Sequence, residues 1–175
     1  YTDGAIQQTL GDTLLFEFGS VLLAAVIGFG IAWLVERTDM PLRRPVLLWI
    51  LIPIAMPPLI STLSWVMLLG ERNGALNVLV RTIVPLWEIG PIDLFSMTGM
   101  ILVQGFGLVG ILYLFASASL RTFDTSLEEA SAASGASTIS TLRRITLPLL
   151  KPHLLGALIL AIILSLESFE VCLLY

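Results

Sequence analysis

Two runs of 24 residues without one charged side chain, 46–69 and 97–120, constrain this chain more than any other feature. A helix of about 20 apolar residues crosses the ~30 Å hydrocarbon core of a bilayer. In lipid every backbone N–H and C=O must be satisfied within the segment, so such runs become helices. Two further apolar stretches flank them. The first, 18–35, has 18 uncharged residues, close to the lower limit for a span, with Asp12 and Glu17 at its outer end where water is expected to reach them. The other is expected to run from near Leu154 to Tyr175 and contains Glu167 and Glu170. Charged residues make up 13% of the chain, against roughly 25% in soluble domains. The predicted fold class is therefore all-α: a polytopic transmembrane helix bundle with four spans. No repeat, low-complexity tract or linker divides residues 1–175, which read as one membrane domain. The chain starts at Tyr1, not Met, and stops within an apolar run, so it is read as incomplete at both ends.

Patterns inside the spans add detail. Ala24 and Gly28 form a small-xxx-small pair, a signature of close helix packing. Pro53, Pro57 and Pro58 sit in the second span, where each removes a helix hydrogen bond. A broken helix at membrane depth is tolerated where it is buried in protein or lines a cavity. This span is thus a candidate gate element, or a kinked packing helix. Between spans two and three, Leu76, Leu79, Val80, Ile83 and Val84 recur at helical spacing, as in a short interfacial helix, and Trp87 suits an aromatic belt. Seven of the nine basic residues (Arg37, Arg43, Arg44, Arg121, Arg143, Arg144 and Lys151) fall in two loops on one side. The positive-inside rule places that side in the cytoplasm.

The second of those loops, 121–152, carries the chemistry. Residues 128–134 are helix formers and small side chains, and Gly135 breaks the run. Ser137 or Thr138 caps a second short helix with Ile139, Leu142, Ile145 and Thr146 near one face, ended by Pro148 and Pro152. Ala130, Ser131, Ala132 and Ala133 form a small-residue face that another protein can approach closely. The spacing Glu129-Ala130-Ser131, three residues, Gly135, nine residues, Ile145-Thr146-Leu147-Pro148 resembles the EAA loop of the membrane subunits of binding-protein-dependent ABC importers. Six of the seven fixed positions of that pattern match. Ser131 departs, standing where the family usually has a second alanine. The subgroup it looks most like is the ferric-iron, polyamine and thiamine type.

The resemblance implies a multi-pass permease subunit of the bacterial inner (plasma) membrane. Its partners would be cytoplasmic ABC ATPase subunits, a periplasmic or extracellular solute-binding protein, and a second permease subunit or fused half. In that picture Glu129, Ala130, Ser131, Gly135, Ile145, Leu147 and Pro148 couple the permease to the ATPase. Glu129 meets donors in the ATPase groove, Gly135 makes the turn, and Leu147 and Pro148 fix the elbow to span four. The chain has no G-x-x-x-x-G-K-[ST], H-E-x-x-H or G-x-S-x-G, so it supplies no ATPase site of its own. No cofactor and no nucleic-acid partner is expected. Its single cysteine, Cys172, excludes an intrachain disulfide, and His153 reads as a surface residue.

Charges within membranes usually face a cavity or a partner. At 1.5 Å per residue, Glu167 lies about 20 Å above Leu154, and Gln104 about 10 Å below Met97. Glu167, Glu170, Gln104 and Ser61 are therefore candidates for a polar ring on a translocation pathway, leaning towards a cation such as ferric iron. The competing readings are an ion-driven secondary transporter or channel with Glu167 and Glu170 as its ion sites, and a scaffold that only anchors an enzyme.

Overall fold

A computed structural model describes residues 3–70, 73–83, 93–168 and 171. Glu170, Val84, Trp87 and Cys172 lie outside them. The elements in order are α1 (Asp3–Arg37), α2 (Arg43–Ala55), α3 (Pro58–Leu69), α4 (Ala75–Ile83), α5 (Met97–Thr122), α6 (Ser126–Ala133), α7 (Thr138–Thr141), a π turn (Leu142–Thr146) and α8 (Leu147–Glu167). Three helical segments are long and apolar enough to cross a membrane: Gly4–Arg37, Met97–Thr122 and Thr138–Glu167. Among the described residues, the broken pair Arg43–Ala55 and Pro58–Leu69, bent by 118°, is the candidate for a fourth.

The break follows from its prolines. A residue before proline is pushed out of the α region, and Met56 and Pro57 each precede one. Both are extended (ψ 139° and 134°), and Pro58 restarts a helix at its first turn. The pair still runs from one end of the bundle towards the other. Arg43 pairs with Glu36 at one end of α1, whereas Leu69 packs with Phe16, Leu94 and Met100 at the other. Beyond that end, Asn77 is buried and donates to the carbonyls of Leu69 and Gly70, so α4 closes the exposed C-terminus of α3. Leu76, Leu79 and Ile83 of α4 stay exposed, as an interfacial helix requires.

α5 is the central post, touching α1, α2, α3 and α8. Without a hydrophobic drive between helices in lipid, close packing of small residues supplies the association. On α1, Ala24 and Ala32 are fully buried on either side of Gly28. A Cβ on Gly28 would stand 3.0 Å from the Tyr113 nitrogen and the Val109 carbonyl oxygen. The small-xxx-small pair is thus the α1–α5 crossing, and it continues one turn further than expected. α8 uses the same device through Ala157 and Ala161, both fully buried.

Two expectations are corrected. Pro148 and Pro152 do not end the elbow helix, because residues 138–167 are helical throughout. Pro148 cannot donate to Arg144, and the backbone ahead of it widens: the Leu147 N–H bonds to Leu142 O, five residues back. Glu17 does not simply reach water, since its Oε2 is buried and has no hydrogen-bond partner, while Asp12 is exposed.

Candidate functional site

The elbow sits at the basic end of the bundle. α6 stops at Gly135, whose φ of +81° is the left-handed conformation that glycine adopts at least cost. The Gly135 N–H bonds to Ala132 O and the Ala136 N–H to Ser131 O, the paired bonds of a Schellman stop. Ser137, not Thr138, then caps α7, its side chain accepting from the Ser140 N–H. Across the turn, Ser131 Oγ and Thr141 Oγ1 lie 2.8 Å apart. An alanine at 131 could not make that bond, so the departure from the motif closes the elbow on itself.

The sequence-predicted elbow residues fall into two groups. Glu129, Ala130, Gly135, Leu147 and Pro148 are exposed, while Ser131 and Ile145 are half-buried. Ile139 was expected to share a face with Leu142, Ile145 and Thr146, but it is 75% exposed; Leu142 and Ile145 are half-buried and Thr146 is buried, and Thr141 is buried with them. Glu129 accepts a local hydrogen bond from Thr125. The adjacent acid, which sequence reasoning passed over, does the tying. Glu128 Oε2 lies 2.8 Å from Arg37 Nε, and Oε1 accepts from Thr146 Oγ1 at 2.6 Å. Arg37 also donates to the Leu120 carbonyl at 2.7 Å.

A second cluster beside it was also missed. Glu36, 8% exposed at its side chain, accepts from Ser117 Oγ at 2.7 Å and from the Arg121 guanidinium at 2.9 and 3.0 Å. Arg43 stands 3.5 Å away on the other carboxylate oxygen. This cluster clamps α1 to α5 and to the start of α2. The available signal was opposite charge at matching span ends, but its use requires knowing that α1 and α5 pack side by side.

Towards the opposite end, Gln104 is buried and donates to Ser165 Oγ at 3.2 Å and Ser168 Oγ at 2.6 Å. With Ser61, Thr62 and Ser168 it lines a cavity of about 250 Å³ beside the break between α2 and α3. Ser61, with Pro53 and Met56, also borders an adjoining apolar cavity of about 520 Å³ walled by Trp49, Trp65 and Phe106. The expected ring is therefore only partly assembled. Ser61 and Gln104 share a cavity, and the depth match with span four holds, because Ser165 and Ser168 bracket Glu167. Glu167 itself is exposed at the last position of α8 and is not among the lining residues. Two residues along a helix turn a side chain about 200° from Ser165, away from Gln104. Among the described residues, no three His, Cys, Asp or Glu side chains gather to hold a metal ion. His153 is exposed, with its ring edge-on to Phe123.

The family described as "Binding-protein-dependent transport system inner membrane component" matches residues 20–172. The trehalose/maltose transport system permease protein MalF of Thermococcus litoralis is 31% identical over 162 residues, covering 91% of this chain and 54% of that protein. The sulfate transport system permease protein CysW of Synechococcus elongatus is 30% identical over 168 residues (95% and 56%). A probable molybdenum ABC transporter permease protein of Haloferax volcanii is 28% identical over 151 residues (86% and 52%). The chain spans about half the length of these curated relatives. In fold it is similar to a chain in the crystal structure of a bacterial alginate ABC transporter in complex with alginate pentasaccharide-bound periplasmic protein. That match has a TM-score of 0.69 at 19% identity, over 86% of this chain and 53% of that one. None of these is an iron, polyamine or thiamine permease, so they support the family and not the expected subgroup.

Proposed function

The chain belongs to the binding-protein-dependent transport system inner membrane components, multi-pass proteins of the inner membrane, and on that premise we propose that it is a permease subunit of an ATP-driven importer. The single domain 1–175 forms part of the solute path. The elbow within 121–152 receives force from a separate ATPase subunit, and a solute-binding protein delivers solute at the far end. The observation that carries this reading is the elbow's placement. Its Schellman turn and exposed small-residue face lie at the basic end of the bundle, opposite the polar cavity. Close approach by a groove in another protein needs such a face, and the end rich in arginine is the cytoplasmic one.

The cavity supports a solute class. Its polar lining is Ser61, Thr62, Gln104 and Ser168, and no charged residue is among its described walls. Hydroxyls and amides both donate and accept, which matches a hydroxyl-rich neutral solute. Positive charge strengthens the hold on an oxyanion and carboxylates the hold on a metal cation, and neither is among these described walls. The cation reading rested on Glu167 and Glu170. Glu167 faces elsewhere, so a sugar-like solute is the better-supported passenger.

The test is co-purification of the complete permease with its ATPase subunit, followed by uptake into proteoliposomes containing the solute-binding protein. ATP-dependent accumulation of a neutral oligosaccharide is the expected result. Uptake driven by an ion gradient in the absence of ATP would overturn the importer reading. ATP-driven uptake of a cation alone would overturn the solute class and leave the importer standing.

A further inference from the structure

α6, which carries most of the proposed docking face, has little hold on the membrane helices. It packs on α7 and the π turn, both parts of its own elbow. Between the elbow and the end of α1 lies a cleft of about 140 Å³, walled by Trp33, Thr138, Thr141 and Leu142. Packed apolar surfaces do not fill this space, so the elbow has room to shift. One polar chain bridges it. Arg37, at the last turn of α1, stands 2.8 Å from Glu128 of α6 as an ion pair, its Nε–H not aligned as a hydrogen bond. Glu128 holds Thr146 of the π turn, and Arg37 holds the Leu120 carbonyl near the end of α5. Both charged side chains are largely sheltered, 14% and 20% exposed, so water replaces neither partner freely. The pair is held by charge, and hydrogen bonds to the Leu120 carbonyl and from the Thr146 hydroxyl fix its two ends.

We infer that the Arg37–Glu128–Thr146 chain is a transmission strut, carrying displacement of the docked elbow into α1 and α5. This rests on the importer reading above and adds two positioning residues outside the recognised motif. Glu128 acts through Arg37, and neither touches solute or nucleotide. The π turn contributes as well, because its wider winding sets Thr146 facing α6 while α8 continues into the membrane.

The experiment uses the complete permease assembled with its ATPase subunits and reconstituted with the solute-binding protein. Arg37→Gln and Glu128→Gln are each expected to co-purify the ATPase at the wild-type ratio. Each is expected to lower binding-protein-stimulated ATP hydrolysis about tenfold, within the usual range of coupling between sites. The double variant should fall no lower than the worse single one, since one strut breaks only once. Arg44→Gln removes an exposed charge at the same end of the bundle, outside the elbow and the strut, and should keep full stimulation. Should the glutamine variants fail to assemble, Arg37→Lys carries the test. It retains the charge but gives up the forked donor that reaches Leu120, and stimulation below wild type is expected. Wild-type stimulation in a single variant, multiplying losses in the double one, or an equal loss in Arg44→Gln would overturn the strut. Loss of ATPase co-purification in Glu128→Gln would also overturn it, by making Glu128 a docking residue. A wild-type complex that recruits no ATPase would instead remove the importer reading, and the strut with it.

Discussion

Gly110 sits where the backbone of α2 crosses α5. A Cβ built there would lie 2.6 Å from the Ile50 carbonyl oxygen and 2.6 Å from Ile54 Cδ1. The isoleucine side chain can turn aside, but the carbonyl belongs to the backbone of α2 and cannot. Restoring an ordinary carbon–oxygen separation would part α2 and α5 by about 0.7 Å. That opens the seam holding the first half of the broken span. Overpacking of this kind costs about 1–3 kcal/mol. Replacing glycine by alanine also gains up to about 1 kcal/mol of helix propensity, so the comparison needs a reference. Gly107, one turn away on the same helix, provides it, since nothing lies within 4 Å of its Cβ position. Gly107→Ala collects the propensity gain alone. Gly110→Ala is therefore expected to be less stable than Gly107→Ala by about 1–3 kcal/mol. In a chain of this size that is roughly 2–4 °C of melting temperature per kcal/mol. The assay is thermal unfolding of both purified variants in the same detergent. Equal melting temperatures, or a higher one for Gly110→Ala, would refute the α2–α5 contact.

Three further outcomes follow from the same geometry. Gly135→Val meets open space but must hold a β-branched residue at φ +81°, at a cost of about 1–2 kcal/mol; normal insertion with reduced solute-stimulated ATP hydrolysis is expected, and unimpaired coupling would show that the turn is dispensable. Asn73→Cys and Thr138→Cys, both at exposed positions, should react with a membrane-impermeant thiol reagent from opposite faces, Thr138→Cys only from the cytoplasm; the reverse pattern would invert the topology. Gln104→Leu removes the bonds to Ser165 and Ser168 and should cut uptake, whereas Glu167→Gln should leave it unchanged; the opposite pair of results would restore a cationic pathway.

The spans were legible because lipid leaves a chain few options. Charge-free runs of 24 residues have to be helices, and Pro57-Pro58 has to break one of them. Depth was legible too, since rise per residue alone placed Glu167 level with Gln104. Rotation about the helix axis was not. Adjacent residues on a helix point about 100° apart, so Glu128 and Glu129 look alike in sequence, and only the partner helix decides which one turns inward. The side-by-side packing of α1 and α5 puts Arg37 beside Glu128, and that arrangement appears in no local pattern. The prolines of the elbow misled for a related reason. Proline forbids one hydrogen bond but does not forbid a π turn that rearranges the neighbouring ones.

Ser131 shows why the elbow should move as one body. The family's usual alanine would keep the proposed docking face smooth. Serine keeps it nearly as small and adds a hydroxyl 2.8 Å from Thr141, joining the two arms across Gly135. Gly135 is the one residue of the turn with a left-handed backbone, and so the natural place for the elbow to flex. A bond spanning that point resists opening of the arms. Force applied to α6 then passes to α7 and the π turn without being absorbed at the glycine. What reaches the membrane helices depends on the helical continuity into α8 and on the Arg37–Glu128 pair. Ser131→Ala is therefore expected to leave docking intact and make coupling less efficient, because the arms would yield before the strut is loaded. Stimulated ATP hydrolysis and uptake, measured together, test this. A drop in solute moved per ATP at unchanged ATPase co-purification is the predicted signature, and an unchanged ratio would show that the elbow is stiff without the bond.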